Sequence, residues 1–139
     1  MSEDTIKPYS VYKKDGIIYC IWNPDLIIDL ELIKSGIRTR IETAEGKPYP
    51  IFINAKDVKY WTLEARRYGL SKEAHQCVRA YGILLNSSII RIIVNWAFKI
   101  FPTTIPQRIF TNEQEAIQWL QKFVDKEQGL NQSKSLLVF

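Results

Sequence analysis

The chain has 139 residues, 19 Lys and Arg against 15 Asp and Glu, a net charge of +4 and two cysteines. That length suits one domain able to bury roughly two-thirds of the surface its unfolded form exposes. No disulfide is needed, and the composition excludes a low-complexity chain or a repeat array.

In chain order, residues 1–8 read as an N-terminal extension, 9–126 as the domain and 127–139 as a tail. The polar, acidic start MSEDTIKPYS lacks the basic-then-apolar pattern of a secretory signal, so the expected compartment is the cytoplasm. Tyr9 to Lys14 and Ile17 to Trp22 are runs rich in Tyr, Val and Ile joined by Asp15-Gly16, the strongest short-range hairpin signal. Past Pro24, Asp29 is placed to cap a helix with Leu30, Ile33, Ile37 and Ile41 on one stripe, ended by Gly46 and Pro48. Tyr49 to Asn54, YPIFIN, reads as a continuous apolar strand of a sheet covered on both faces. Thr62 caps the next predicted helix, with Glu64 near the positive end of its dipole. Leu63, Leu70, Ala74 and Cys77 are expected on one face of it, with a bend or break at Gly69.

Between Ala80 and Phe101 runs AYGILLNSSIIRIIVNWAFKIF, charged only at Arg91 and Lys99. Its length could span a bilayer, but Asn86, Ser87 and Ser88 are capping residues rather than helix interior. The stretch therefore divides into a strand at Tyr81 to Leu85, a turn, and a helix from Ile89 to Phe101 stopped by Pro102. Arg91, Asn95 and Lys99 form one narrow polar stripe on that helix, and a helix apolar nearly all round is buried on more than one side. Arg108 to Phe110 gives a last short strand. Asn112 or Thr111 then caps a helix with Ala116, Leu120 and Phe123 on one face and Trp119 beside it. The tail turns apolar at Leu136, Leu137, Val138 and Phe139, as a mobile end, or as residues that dock as an added strand or plug a groove. The order is ββαβαβαβα, an α/β fold with an N-terminal hairpin, a mixed five-stranded sheet and about four helices.

The residues point away from several chemistries. The basic side chains do not cluster: Arg38 and Arg40 sit beside Glu42 and Glu45, and Arg66 and Arg67 between Glu64 and Glu73, as on solvated helix faces. No nucleic-acid partner is expected. His75 is the single histidine and reads as a helix-surface residue without co-ligands, so neither a metal nor another cofactor is expected. Cys20 and Cys77 read as small buried hydrophobes. No phosphate-binding glycine loop is present. The places where a strand passes to a helix, at Asn54 to Thr62, Asn86 to Ser88 and Thr111 to Asn112, fall on the sheet edge where helix N-termini offer unpaired N–H groups. Thr62, Ser87 and Ser88 are therefore candidate anion or phosphoacceptor positions, each also explicable as a plain cap.

Several segments together resemble the SpoIIAA-like, or STAS, family of anti-sigma-factor antagonists, in an uncharacterised bacterial branch. They are DGI at Asp15 to Ile17; KPYPIFIN at Lys47 to Asn54 leading to Thr62, Glu64, Ala65 and Arg66; the strand followed by Ser87 or Ser88 and the apolar helix; and PQRIFTNEQEAIQWL at Pro106 to Leu120. The resemblance spans about Tyr9 to Val124. It implies a non-enzymatic regulatory domain acting through protein partners, with a phosphorylated serine opening the helix after the third strand. This chain departs there: Tyr60, Trp61 and Thr62 stand in place of the acidic residue and serine pair, leaving Thr62 as the nearest hydroxyl. The expected partner is a second copy or another regulatory protein. A homodimer would form through Ile90, Val94, Phe98 and Phe101 on the apolar helix. The alternative is a carrier of an apolar small molecule or lipid in a pocket beneath that helix. No stable membrane insertion is expected.

Overall fold

The computed structural model describes residues 7–86 and 104–126. Its elements are β1 (Tyr9–Lys14), β2 (Ile17–Trp22), β3 (Ile27–Ile28), α1 (Leu30–Ala44), β4 (Tyr49–Asn54), β5 (Tyr60–Trp61), α2 (Leu63–Gly69), β6 (Val78–Leu84), β7 (Gln107–Phe110) and α3 (Glu113–Gln121), with a 3₁₀ turn at Glu73–His75. The expected helix at Ile89 to Phe101, with Ser87 and Ser88 before it, and the tail lie outside the described residues.

The main sheet has the order β1-β2-β4-β6-β7. β1 and β2 are antiparallel, Lys14 facing Ile17 across the turn. Asp15 and Gly16 take φ of 51° and 82°, the left-handed pair a two-residue hairpin needs to match strand twist. The other pairings are parallel. Pro50 lies in β4, a central strand where a missing N–H should be costly. The β4–β6 register shifts between Tyr49 and Pro50, and pairing with β2 begins only at Ile51, so Pro50 removes no regular ladder bond there.

Side-chain alternation in the strands feeds two cores. On one face Ile18, Cys20 and Trp22 of β2, Ile51 of β4 and Tyr81 and Ile83 of β6 meet α1 and α2. On the other, Ile17, Phe52, Leu84 and Phe110 meet Ala116 and Leu120 of α3. A β-carbon on Gly82 would lie 2.9 Å from Leu120 Cδ1, so that glycine lets α3 sit close to the sheet.

Local caps explain the helix limits. Asp29 Oδ1 accepts from Leu32 N at 2.9 Å, and α1 ends with Glu45 at φ 52° followed by Gly46 at φ 80°. Asn112 Oδ1 accepts from Glu115 N at 2.9 Å to open α3.

Three readings need correction. The second helix breaks at Gly69, as the glycine implies, but the expected common face does not run on to Ala74 and Cys77, because Ser71 takes over the turn by donating to Tyr68 O at 2.6 Å and accepting from Ala74 N at 3.3 Å. Leu63 therefore shares no buried face with Ala74; it is 50% exposed while Ala74 is buried. Arg40 is not on a solvated face but is 4% exposed. His75 is not a helix-surface residue: it lies half-buried in the 3₁₀ turn, against Tyr81. A two-stranded parallel sheet of β3 and β5, absent from the expected order, is a further feature.

Candidate functional site

Arg40 organises the face beneath α1. The residues of α1 that are buried are Ile33, Gly36, Ile37, Arg40 and Ala44, a continuous stripe at helical spacing. That spacing, rather than the charges on either side in sequence, is the signal that identifies Arg40 as an inward residue. Its Nη2 donates to Ala74 O and Gln76 O, both at 2.8 Å, and its Nη1 makes a long 3.4 Å contact with Tyr81 Oη. Buried carbonyls at the end of the 3₁₀ turn need donors, and the guanidinium supplies them. The Gln76–Cys77 peptide is turned toward it by Cys77, which holds φ at 62°. No carboxylate pairs with Arg40 among the described residues.

His75 and Tyr81 complete this cluster. His75 Nδ1 lies 3.0 Å from Tyr81 Oη, and Tyr81 also donates to Ala74 O at 3.2 Å. Burial and the nearby Arg40 charge push the His75 pKa below its ordinary value, so the ring is neutral at neutral pH. Burial raises the Tyr81 pKa, with Arg40 acting against it. The buried Cys20 thiol is pushed up to about 12, which makes it an inert thiol rather than a nucleophile.

These side chains border a cavity of about 120 Å³. Its apolar walls include Trp22, Ile33, Ile37, Ile53, Ile83 and Leu85. Arg40, Trp61 and Arg66 also line it, and no Asp or Glu does so among the described residues. Arg40 Nε, Trp61 Nε1 and Arg66 Nε are each buried without a hydrogen-bond partner among the described residues.

A second locus lies where β3 and β5 pair, beyond the carboxyl ends of β2 and β4. Ile27 faces Tyr60 and Ile28 faces Trp61. Ile28 is buried, whereas Ile27, Tyr60 and Leu63 are 55%, 52% and 50% exposed. Thr62 sits among them, pinned by its N–H to Ile28 O at 3.0 Å, and its Oγ1 accepts from Ala65 N at 3.1 Å to cap α2. Arg66 lies over the Tyr60 ring at 6.0 Å.

Of the candidate residues, Thr62 is thus a helix cap beside an exposed apolar group. Ser87, Ser88 and the stripe Ile90, Val94, Phe98 and Phe101 lie outside the described residues. The strand-to-helix junctions at Thr62 and Asn112 open helices that cover opposite faces of the sheet, α2 on one and α3 on the other. Among the described residues no group of three or more His, Cys, Asp or Glu is placed to hold a metal, and no helix is long and apolar enough to cross a membrane.

The chain belongs to a family described as a domain of unknown function, DUF7793, whose model matches residues 11–124. None of the curated proteins matches it. Among solved structures it is similar to an uncharacterised protein of the DUF3478 family with a SpoIIAA-like fold from Shewanella loihica PV-4. That likeness has 13% identity and a TM-score of 0.58, and covers 81% of this chain and 91% of the other. It is also similar to the anti-sigma factor antagonist SpoIIAA in its unphosphorylated form, at 16% identity and a TM-score of 0.51, over 81% of this chain and 97% of that one. The fold is SpoIIAA-like, as the resemblance in the sequence implies.

Proposed function

We propose that this chain is a non-enzymatic, cytoplasmic regulatory domain that acts by docking a protein partner. The observation that carries this reading is the exposed apolar group Ile27, Tyr60 and Leu63 gathered around Thr62, since contiguous exposed patches mark interaction sites. The SpoIIAA-like fold supports it, because the anti-sigma factor antagonist it resembles acts, by its description, on another regulator. Phosphorylation of Thr62 would place up to about two negative charges within this patch and beside Arg66, changing its affinity for the partner.

The experiment uses affinity-tagged chain expressed in its native host, with an Ile27→Glu, Leu63→Glu double variant beside it. The reading expects one partner to accompany the parent protein, to bind it again when both are purified, and to be lost in the variant at unchanged melting temperature. A monomer with no patch-dependent partner would overturn it. Self-association through Ile90, Val94, Phe98 and Phe101 belongs to the same reading, and light scattering at micromolar concentration tests it: a strict monomer excludes the dimer.

A second reading, carriage of an apolar small molecule, is favoured by the cavity beneath α1. Its volume is close to that of a protein cavity of about 150 Å³ that takes benzene. A ring or a short chain fits this space, and a long acyl chain exceeds it.

A further inference from the structure

We propose that the cavity beneath α1 is a binding site for a small organic acid, its apolar part enclosed by the aliphatic and aromatic walls and its carboxylate held by Arg40, Trp61 and Arg66. This rests on the small-molecule reading and goes beyond it by fixing the ligand's charge. It does not require partner docking at the Thr62 patch, with which it shares Arg66.

Three observations carry it. First, the three buried N–H groups without partners, Arg40 Nε, Trp61 Nε1 and Arg66 Nε, belong to side chains that line this one cavity. A buried polar group without a partner loses its hydration with nothing in return, and three on one cavity amount to an unfilled set of donors. Second, among the described residues every unsatisfied side-chain atom is a donor, and two belong to guanidinium groups. Third, Arg40 is 4% exposed with no carboxylate beside it among the described residues, and no acidic side chain lines the cavity there. An uncompensated buried charge is strongly destabilising, so an anionic group supplied by a ligand would complete the site. Neutral acceptors would satisfy the hydrogen bonds but not the charge.

The size selects among acids. A space of about 120 Å³ suits one aromatic ring or a short branched chain bearing a carboxylate. Neither a nucleotide nor a long fatty acid matches it.

The test uses the full-length chain and two probes of the same shape, benzoate and the neutral benzamide. Binding is followed by titration calorimetry and by the indole N–H resonance of Trp61. Benzoate should bind saturably and about tenfold more tightly than benzamide, the difference between charge-assisted and neutral hydrogen bonds. Trp61→Phe keeps the ring and removes one donor, and Arg66→Gln removes one charge at a partly exposed position. Each should weaken benzoate severalfold while leaving benzamide within a factor of about two. Equal binding of the two probes, or variants that weaken both alike, would overturn the carboxylate proposal and leave an apolar site. Absence of saturable binding by either probe would overturn the proposal and the small-molecule reading together.

Discussion

The indole of Trp22 occupies the space that a β-carbon on Gly36 would take, its Cη2 only 2.7 Å from that position. Helix α1 therefore rests on β2 at a distance only glycine permits.

Gly36→Ala tests this directly. In a free helix the change would gain about 1 kcal/mol. Here the methyl meets a rigid ring, and overpacking of this sort costs about 1–3 kcal/mol. The expected result is a net loss of about 1 kcal/mol or more in urea unfolding. A stabilised variant would mean that α1 can lift away from the sheet freely.

Arg40→Met removes the donor to the carbonyls of Ala74 and Gln76 while keeping the unbranched stem of the side chain. Gln76 O loses its guanidinium bond, and Ala74 O keeps only the long bond from Tyr81. Denaturant unfolding should show a loss of about 2–4 kcal/mol. Arg40→Lys should recover part of it. No loss with methionine would indicate that an apolar side chain replaces the guanidinium without penalty, as happens at some buried ion pairs.

His75 makes stability depend on pH in a definite direction. Its folded pKa is lowered, by burial first and by the Arg40 charge second. The unfolded chain then binds the proton more readily, so the contribution is complete above the ordinary value of 6.5 and is lost as pH falls through the lower folded pKa. Carboxylates add their own trend in acid, so the comparison is with His75→Gln. Between about pH 7.5 and 5 the parent should lose more stability than the variant, and parallel curves would contradict the burial described here.

Thr62→Ala deletes the Oγ1 acceptor that receives the Ala65 N–H. The expected cost is about 1 kcal/mol, with Thr62→Ser nearly neutral. Thr62→Asp should retain the cap and gain from the dipole. If alanine proves neutral by thermal melting, the β3–β5 pairing rather than the cap holds the start of α2.

Local chemistry accounts for what was legible in the sequence. Asp15-Gly16 needs two left-handed residues and has them, and Asp29, Thr62 and Asn112 cap as their types imply. YPIFIN spans β4 from end to end. What escaped depends on contacts distant in sequence. β3 and β5 have two residues each, too few for any periodicity, and exist because Ile27 and Ile28 find Tyr60 and Trp61. Glu42 and Glu45, which follow Arg40, suggest a solvated face for it, whereas its burial follows from Ile37 and Ile33, one and two turns earlier. The helical spacing of Leu63, Leu70 and Ala74 continued through a point where Gly69 and the Ser71 hydroxyl ended the helix. His75 thereby came against Tyr81, and the side chains that line the cavity together, Arg40, Trp61 and Arg66, come from α1, β5 and α2, which only the fold brings to one place.

In the main sheet every strand lies beside the one that precedes it there, from β1 through β7. A chain leaving the ribosome can therefore lay the sheet down in one direction. Each new strand meets an edge that is already formed, and no earlier strand has to be held open for a later one to insert. The same order concentrates risk in time: until β7 arrives, the long apolar edge of β6, VRAYGIL, stands open. Mutations that slow its covering would be felt as poor yield during synthesis before they were felt as lost stability.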